Sequence, residues 1–414
     1  RGGRSGRGQG RMSDEKFRNG PLSDLRVIEL GTLLAGPFCG QLLGDMGAEV
    51  IKVEPPGQGD PMRAWGREKD KGKSLWWPVV ARNKKGITLD LRQEQGQQVL
   101  KELVAKTDFL IENFRPGTME KWGLGWDVLS AINPRLIMIR VSGYGQTGPY
   151  SKRAGFGAIG EAMGGLRYVV GDPSTPPSRM GISIGDSLAA TFACVGALSA
   201  LHYREVTGRG QVVDSAIYEA VLNMMESLIT EYDKTGYIRE RTGAILPNVA
   251  PSNVYPTSDG QMILIAANQD TVFGRLAQAM GQPQLAKDPR YATHVARGAH
   301  QAELDALIAE WTRTKTCKEL LDLMEEAGVP AGLIYRAPEM LADPHFKARE
   351  AIVSVPHPDF GELKMQNVAP KLSATPGRIR SPSPQLGEHN EEVYLGLLGM
   401  SRERYEQLRA ARVI

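Results

Sequence analysis

Apolar and polar positions follow two rhythms along this chain. Leu25–Leu30 is a short apolar run with β-branched residues, which predicts a buried strand. From Gly36-Pro37 to Leu43 the spacing turns helical; Gly47 ends the helix, and Glu49–Val53 predicts a second strand. A strand–helix–strand unit of this length implies parallel pairing. The rhythm continues: ITLDL, DFLIENF and LIMIRVSGY read as strands, EQGQQVLKELVAKT and LSAIN as helices. The implied fold class is α/β, with a Rossmann-like doubly wound parallel sheet.

Two longer helical patterns follow. One starts at Asp186 and runs to about Tyr203, rich in Ala and Leu. The other runs from Ser215 to about Lys234, with Ile217, Val221, Met224, Leu228 and Ile229 at helical spacing. Between them, TGRGQVVD predicts a turn and a short strand. After Gly236 the texture changes. Prolines 247, 251, 256 and 283 surround SNVYPTSDGQMILIAA, where Asp259-Gly260 is a hairpin signal between two strands. Amphipathic helices are expected near 271–280 and 302–328, then short strands in AIVSV and LKMQN and a last helix from Arg402. The organisation expected is a tail over 1–21, disordered or appended; a large domain over 22–224; a smaller α+β domain over 225–335; and a return to the large domain over 336–414.

A chain of 414 residues is longer than one core usually serves, which agrees with two domains. Its 50 basic and 47 acidic residues leave a net charge of +3, too balanced for a nucleic-acid binder. The slight positive balance suits an anionic small molecule. Cys39, Cys194 and Cys317 are sparse and show no C-x-x-C spacing, which points to a reducing, cytoplasmic setting and away from zinc. All six histidines follow residue 200, and none forms an H-x-x-x-H pair, so no metal centre is expected. No run of about 18 apolar residues appears, so no membrane span is expected. RGGRSGRGQGR, before Met12, reads as a basic arm for an anionic partner or, more simply, as a start set too far upstream.

Gly143–Gly148 matches G-x-G-x-x-G letter for letter and follows a strand. The dinucleotide fingerprint must open a helix, and here Pro149 follows at once, so neither NAD nor FAD is expected.

Six segments together carry a family resemblance: VIELGTLLAGPFCGQLLGDMGAEVIKVEPPGQGD, RNKKGITLDL, ENFRPGTMEKWGLGWDVL, GYGQTGPYSKRAGFG, ISIGDSLAATFACVGALSALHYREVTGRGQVVDSAIYEA and QLGEH. In this order they resemble the class III CoA-transferases, of the formyl-CoA transferase and carnitine CoA-transferase (CaiB/BaiF) kind. The resemblance implies transfer of coenzyme A from an acyl-CoA, such as succinyl-CoA, to a carboxylic acid through an aspartyl anhydride and an aspartyl-CoA thioester. It also implies an interlocked homodimer, with coenzyme A as the one cofactor. The family's aspartate matches Asp186 in ISIGDS. Taken alone, an Asp before a helix reads as a cap. The same place suits a nucleophile, because a helix N-terminus favours the carboxylate by about 0.3–1 kcal/mol.

The resemblance further assigns CoA contacts to Leu34 and Ala35 (in LAGP), Leu89, Arg92, Asn113, Phe114, Arg115, Lys121 and Tyr144. Leu89 and Phe114 read equally as core, and Arg92 and Lys121 equally as solvated surface. Leu34 stands where formyl-CoA transferase has Gln, Pro55 where an Arg is common, and RTGAILPNVAPSN where that enzyme has a glycine-rich loop. These departures argue against oxalate, and Arg115 and Arg153 near the site segments argue for a dicarboxylate acceptor. An α-methylacyl-CoA racemase is the nearest rival, but the His it needs as base is Phe156 here. A non-catalytic CoA-binding protein is the other alternative.

Overall fold

A computed structural model describes residues 17–414; the basic segment at 1–11 and most of the expected tail lie outside the described residues. The chain divides into two compact units. One comprises the residues up to Leu166, Met180–Ser227 and Lys347–Ile414; the other comprises Arg167–Arg179 and Leu228–Phe346.

The first unit is built on six strands: β1 (Arg26–Glu29), β2 (Glu49–Glu54), β3 (Lys84–Thr88), β4 (Phe109–Glu112), β5 (Ile137–Ser142) and β6 (Val212–Ala216). All pairings are parallel, in the order 3-2-1-4-5-6, the order of a dinucleotide-type doubly wound sheet. Successive side chains on a strand point to opposite faces, and each face needs an apolar cover. Val27, Val50, Phe109, Ile111, Ile137 and Ile139 are buried in one layer. Ile28, Ile51, Ile87, Leu110 and Met138 are buried in the other. This is why the strands read as continuous apolar runs in the sequence.

The crossovers in this unit include α1 (Ala35–Asp45), α2 (Glu94–Val104), α3 (Trp126–Ile132), α4 (Gly157–Met163), α5 (Ile184–Thr207) and α6 (Ile217–Asn223). α5 buries a run of small residues, Gly185, Ala189, Ala190, Ala193, Ala197 and Ala200. A β carbon on Gly196 of the same helix would lie 2.5 Å from Val213 Cγ1 of β6, so helix and sheet are in close contact. Among the described residues α5 is the one helix long and apolar enough by composition to cross a membrane, yet its small-residue side is committed to this core.

The helix expected over Ser215 to Lys234 is interrupted. Ser215 and Ala216 continue the sheet opposite Val141 and Ser142. α6 then stops at Asn223, Glu226 takes φ 55°, and α7 (Leu228–Thr235) starts in the second unit. Positive φ at a non-glycine residue breaks a helix whatever the apolar spacing around it.

In the second unit β7 (Ser252–Pro256) and β8 (Met262–Ala266) form the expected hairpin, with Gly260 at φ 73° in the turn. β9 (Ala331–Leu333) pairs on the other side of β8, and α8 (Asp270–Ala279), α9 (Gln301–Thr312) and α10 (Cys317–Ala327) cover the sheet. Thr316 separates α9 from α10 with a capping box to Glu319. The chain then returns to the first unit through the hairpin β10 (Ile352–His357) and β11 (Gly361–Gln366) and ends in α11 (Arg402–Ala410).

Candidate active site

In a doubly wound sheet, ligands bind outside the carboxyl ends of the strands, where the strand order reverses. Here that point lies between β1 and β4. The Asn113 side chain, just past β4, accepts from the Thr32 amide at 2.8 Å and donates to the Thr32 carbonyl at 2.9 Å. One amide group thus ties down the turn leading into α1. β carbons on Gly31 and Gly36 would lie 3.0 and 3.2 Å from that same side chain, so a side chain at either position would crowd it. Leu34 is the N-cap residue of α1 and packs on Met62 and Trp77, while Ala35 opens the helix and is buried.

Beneath this turn lies a layer of buried charge. Glu29 pairs with Lys52 at 2.9 Å and with Lys84 at 2.6 Å, and Lys52 also pairs with Asp60 at 2.7 Å. Burial opposes the Lys52 charge, but Glu29 and Asp60 outweigh it and raise its pKa. Asp60 in turn accepts from the Leu33 amide at 3.0 Å. A β carbon on Gly40 would lie 2.2 Å from a Glu29 oxygen, so α1 can lie over this layer only with glycine there.

Phe114 packs edge-to-face on Trp122 with ring centroids 5.3 Å apart, and its amide donates to Glu112 Oε2 at 2.8 Å. Burial pushes the Glu112 carboxyl up to about 7, against the pull of Arg140, which donates to it at 2.6 Å. Arg115 points to the next loop, where its Nε donates to the Lys152 carbonyl at 2.8 Å. In that loop the Arg153 guanidinium lies 3.7 Å from the Tyr150 ring centroid, and Tyr150 packs on Tyr144 at 5.9 Å. Tyr144 presses on Gly155, where a β carbon would approach its ring to 3.1 Å. Leu34, Ala35, Asn113, Phe114, Arg115 and Tyr144 therefore gather on the carboxyl edge of the sheet.

The other three expected contacts, Leu89, Arg92 and Lys121, have different surroundings. Leu89 is 2% exposed and belongs to the core. Arg92 is exposed and held bidentately by Asp90 at 2.9 and 3.0 Å, and Lys121 is an exposed residue of the short helix Thr118–Lys121. Residues 143–148 form a loop with Gly145 and Gly148 at positive φ, and no helix opens from the glycine fingerprint.

Asp186 lies in the first turn of α5. α5 runs between β5 and β6, so its N-terminus sits at the same edge. The carboxylate meets backbone directly: a β carbon on Gly157, at the start of α4, would lie 2.6 Å from Oδ2, 2.8 Å from Cγ and 2.9 Å from Oδ1. Burial, and then the negative charge of Glu161, push the Asp186 carboxyl from its ordinary 3.8 up to about 6. A carboxyl held there gives up its proton below neutral pH while remaining partly desolvated, a state that suits a nucleophile. Phe156, immediately before Gly157, is largely exposed and carries no titratable group. The sequence alone does not mark Gly157 and Glu161 as neighbours of Asp186. The signal for Glu161 was a lone acid in the apolar stretch AIGEAMGGL; Gly157 gave none, because its role depends on a residue 29 positions away.

The chain compares closely with known proteins. The profile of CoA-transferase family III matches residues 22–390. Succinyl-CoA–D-citramalate CoA-transferase from Chloroflexus aurantiacus is 66% identical over 394 residues, covering 95% of this chain and 98% of the relative. Succinate–glutarate CoA-transferase from Agrobacterium fabrum is 37% identical and covers 94% of this chain and 99% of its own length. A crystal structure of a CaiB/BaiF family protein from Brucella suis superposes with a TM-score of 0.83 at 37% identity, over 91% of this chain and 98% of that one. With the strand order, the switch-point cradle and the aspartate at the head of α5 in place, these matches establish that the chain belongs to CoA-transferase family III.

Proposed function

We propose that this chain moves coenzyme A from succinyl-CoA to a small dicarboxylate of the D-citramalate or malate kind, with Asp186 carrying the acyl group. The seat of Asp186 carries the proposal: a half-buried carboxylate pressed on Gly157 at the head of α5. An Asp186 oxygen attacks the thioester carbonyl, the C–S bond breaks, and CoA thiolate leaves an aspartyl–succinyl anhydride. The thiolate attacks the aspartyl carbonyl and expels succinate, giving an aspartyl-CoA thioester. The acceptor carboxylate attacks this thioester and releases the thiolate; attack of the thiolate on the acceptor's carbonyl then forms the new acyl-CoA and frees Asp186. Each step exchanges one carboxylate or thiolate for another, so no net proton, metal or redox group is required.

Coenzyme A fits the switch-point cradle of Leu34, Ala35, Asn113 and Phe114. Arg115 and Arg153 have no carboxylate partner among the described residues, and their cations suit an anionic acceptor. The succinyl-CoA and D-citramalate in the name of the 66% identical relative, and the succinate and glutarate in that of the 37% identical one, support the same choice. Racemisation needs a proton acceptor at Phe156, which phenylalanine is not. We read the enzyme as a cytoplasmic homodimer; exposed Phe192, Val195, Leu198 and Val206 along one side of α5 are an apolar stripe a second copy would cover.

The test mixes the purified protein with succinyl-CoA and a panel of mono- and dicarboxylic acids, with Asp186→Ala in parallel, and reads new thioesters by mass spectrometry. A dicarboxyl-CoA that vanishes in the variant is expected. Transfer to monocarboxylates alone, or full activity without Asp186, refutes the proposal.

A further inference from the structure

α5 starts without a cap from its own flank, since the Ser183 side chain takes none of the helix's amide protons. The Gly185 amide donates instead to Glu161 Oε1 of α4, at 3.1 Å. Glu161 is 3% exposed. Gly185 cannot carry a side chain here: its β carbon would lie 2.9 Å from Glu161 Cγ and 3.1 Å from Ile217 Cγ2. A buried carboxylate thus occupies the first turn of the helix that presents Asp186, one residue from it. A helix terminus stabilises one anion well, and here two share it.

We propose that Glu161 is a positioning residue acting through Asp186, and that its charge favours the acylated forms of Asp186 over the free carboxylate. The inference rests on Asp186 being the nucleophile. The free side chain is an anion, whereas the anhydride and the CoA thioester are neutral at the same atoms. A fixed negative charge nearby raises the energy of the first and leaves the others almost untouched. The proton equilibrium reports the same preference: burial first, and Glu161 second, hold the Asp186 carboxyl at about 6. From α4 it is Glu161 that faces this turn, while α6 presents the apolar Ile217 to it. Glu161 has a further interaction besides the one with the Gly185 amide. The carboxylate returned at the end of each cycle is then reactive, and the covalent intermediates are not too unstable to form.

Glu161→Gln separates charge from capping, since it keeps an oxygen for the Gly185 amide. The acid limb of kcat/KM against pH, expected near the Asp186 value in the parent, should move down by about one unit. With succinyl-CoA alone and an acid quench, intact mass should show the ratio of Asp186–CoA adduct to free enzyme falling about tenfold. The melting temperature should stay near that of the parent. Glu161→Asp, which restores the charge, should bring the limb back, and Glu161→Ala must show the same shift as Gln if the Gln variant does not fold. An unmoved limb and unchanged adduct ratio in a folded, charge-free variant overturn the inference and leave Asp186 chemistry standing. No adduct on Asp186 in the parent protein removes the nucleophile itself, and this inference with it.

Discussion

Gly157→Ala tests the seat of Asp186 with a single methyl group. That methyl would stand 2.6–2.9 Å from three carboxyl atoms, where ordinary contact begins at 3.4 Å. The carboxylate must withdraw by about 0.8 Å or rotate away, and a misplacement near 1 Å costs about 10²-fold in rate. Folding should not suffer. Gly157 has no positive φ and is the first residue of its helix, so alanine meets no backbone penalty there. The expected result is a kcat about 100-fold lower, a nearly unchanged KM for succinyl-CoA, and an equal or higher melting temperature. Steady-state kinetics and thermal unfolding on the same preparation decide it. Parental kcat in Gly157→Ala would show that the reacting group is not the carboxylate seated there. Loss of rate and stability together would show a general packing defect and would equally refute the reasoning.

Asp186→Asn should abolish transfer but stabilise the fold at pH 8. A carboxyl pushed up to about 6 binds its proton more tightly folded than unfolded, so its unfavourable contribution grows as pH rises from 3.8 to about 6 and is complete above that. The gain is on the order of 1–3 kcal/mol at pH 8 and disappears near pH 4, as denaturant titrations at both pH values will show. By the same titration, parental activity should fall as pH drops through about 6. Asn113→Ala removes both hydrogen bonds to Thr32, each contributing about 1 kcal/mol net, and should raise the KM for CoA thioesters about tenfold or more with a smaller effect on kcat. Lys52→Met leaves Glu29 and Asp60 without one shared cation and should destabilise by roughly 3–5 kcal/mol in chemical unfolding.

The sheet was legible because both its faces are covered: fully buried strands are apolar throughout and stand out between helices of ordinary period. β3 was misplaced by three residues because Lys84, charged and buried, does not look like a strand residue until its partner Glu29 is seen. Asp186 stands out as a candidate through the segment order of the family, and its first-turn position follows from the apolar pattern of α5. The surroundings of its carboxylate were not legible. Gly157 lies against it by lacking a side chain, and Glu161 reaches the same turn from another helix; neither leaves a local periodic mark. Leu89, Arg92 and Lys121 show what the sequence leaves open: it does not say whether a side chain is buried, paired with a neighbour or open to solvent, and here they are, in turn, buried, paired with Asp90 and exposed.

The buried layer of Glu29, Lys52, Lys84 and Asp60 has a consequence for how this protein can diverge. No member of that quartet can change sign or vanish alone without stranding a charge out of reach of water, and Gly40 forbids the helix above from supplying a substitute. Sequences descended from a common ancestor must therefore cross this layer by paired replacements or leave it intact. The same layer holds the turn through the Leu33 amide, so any lineage that rewrites it also resets the path of the chain into α1.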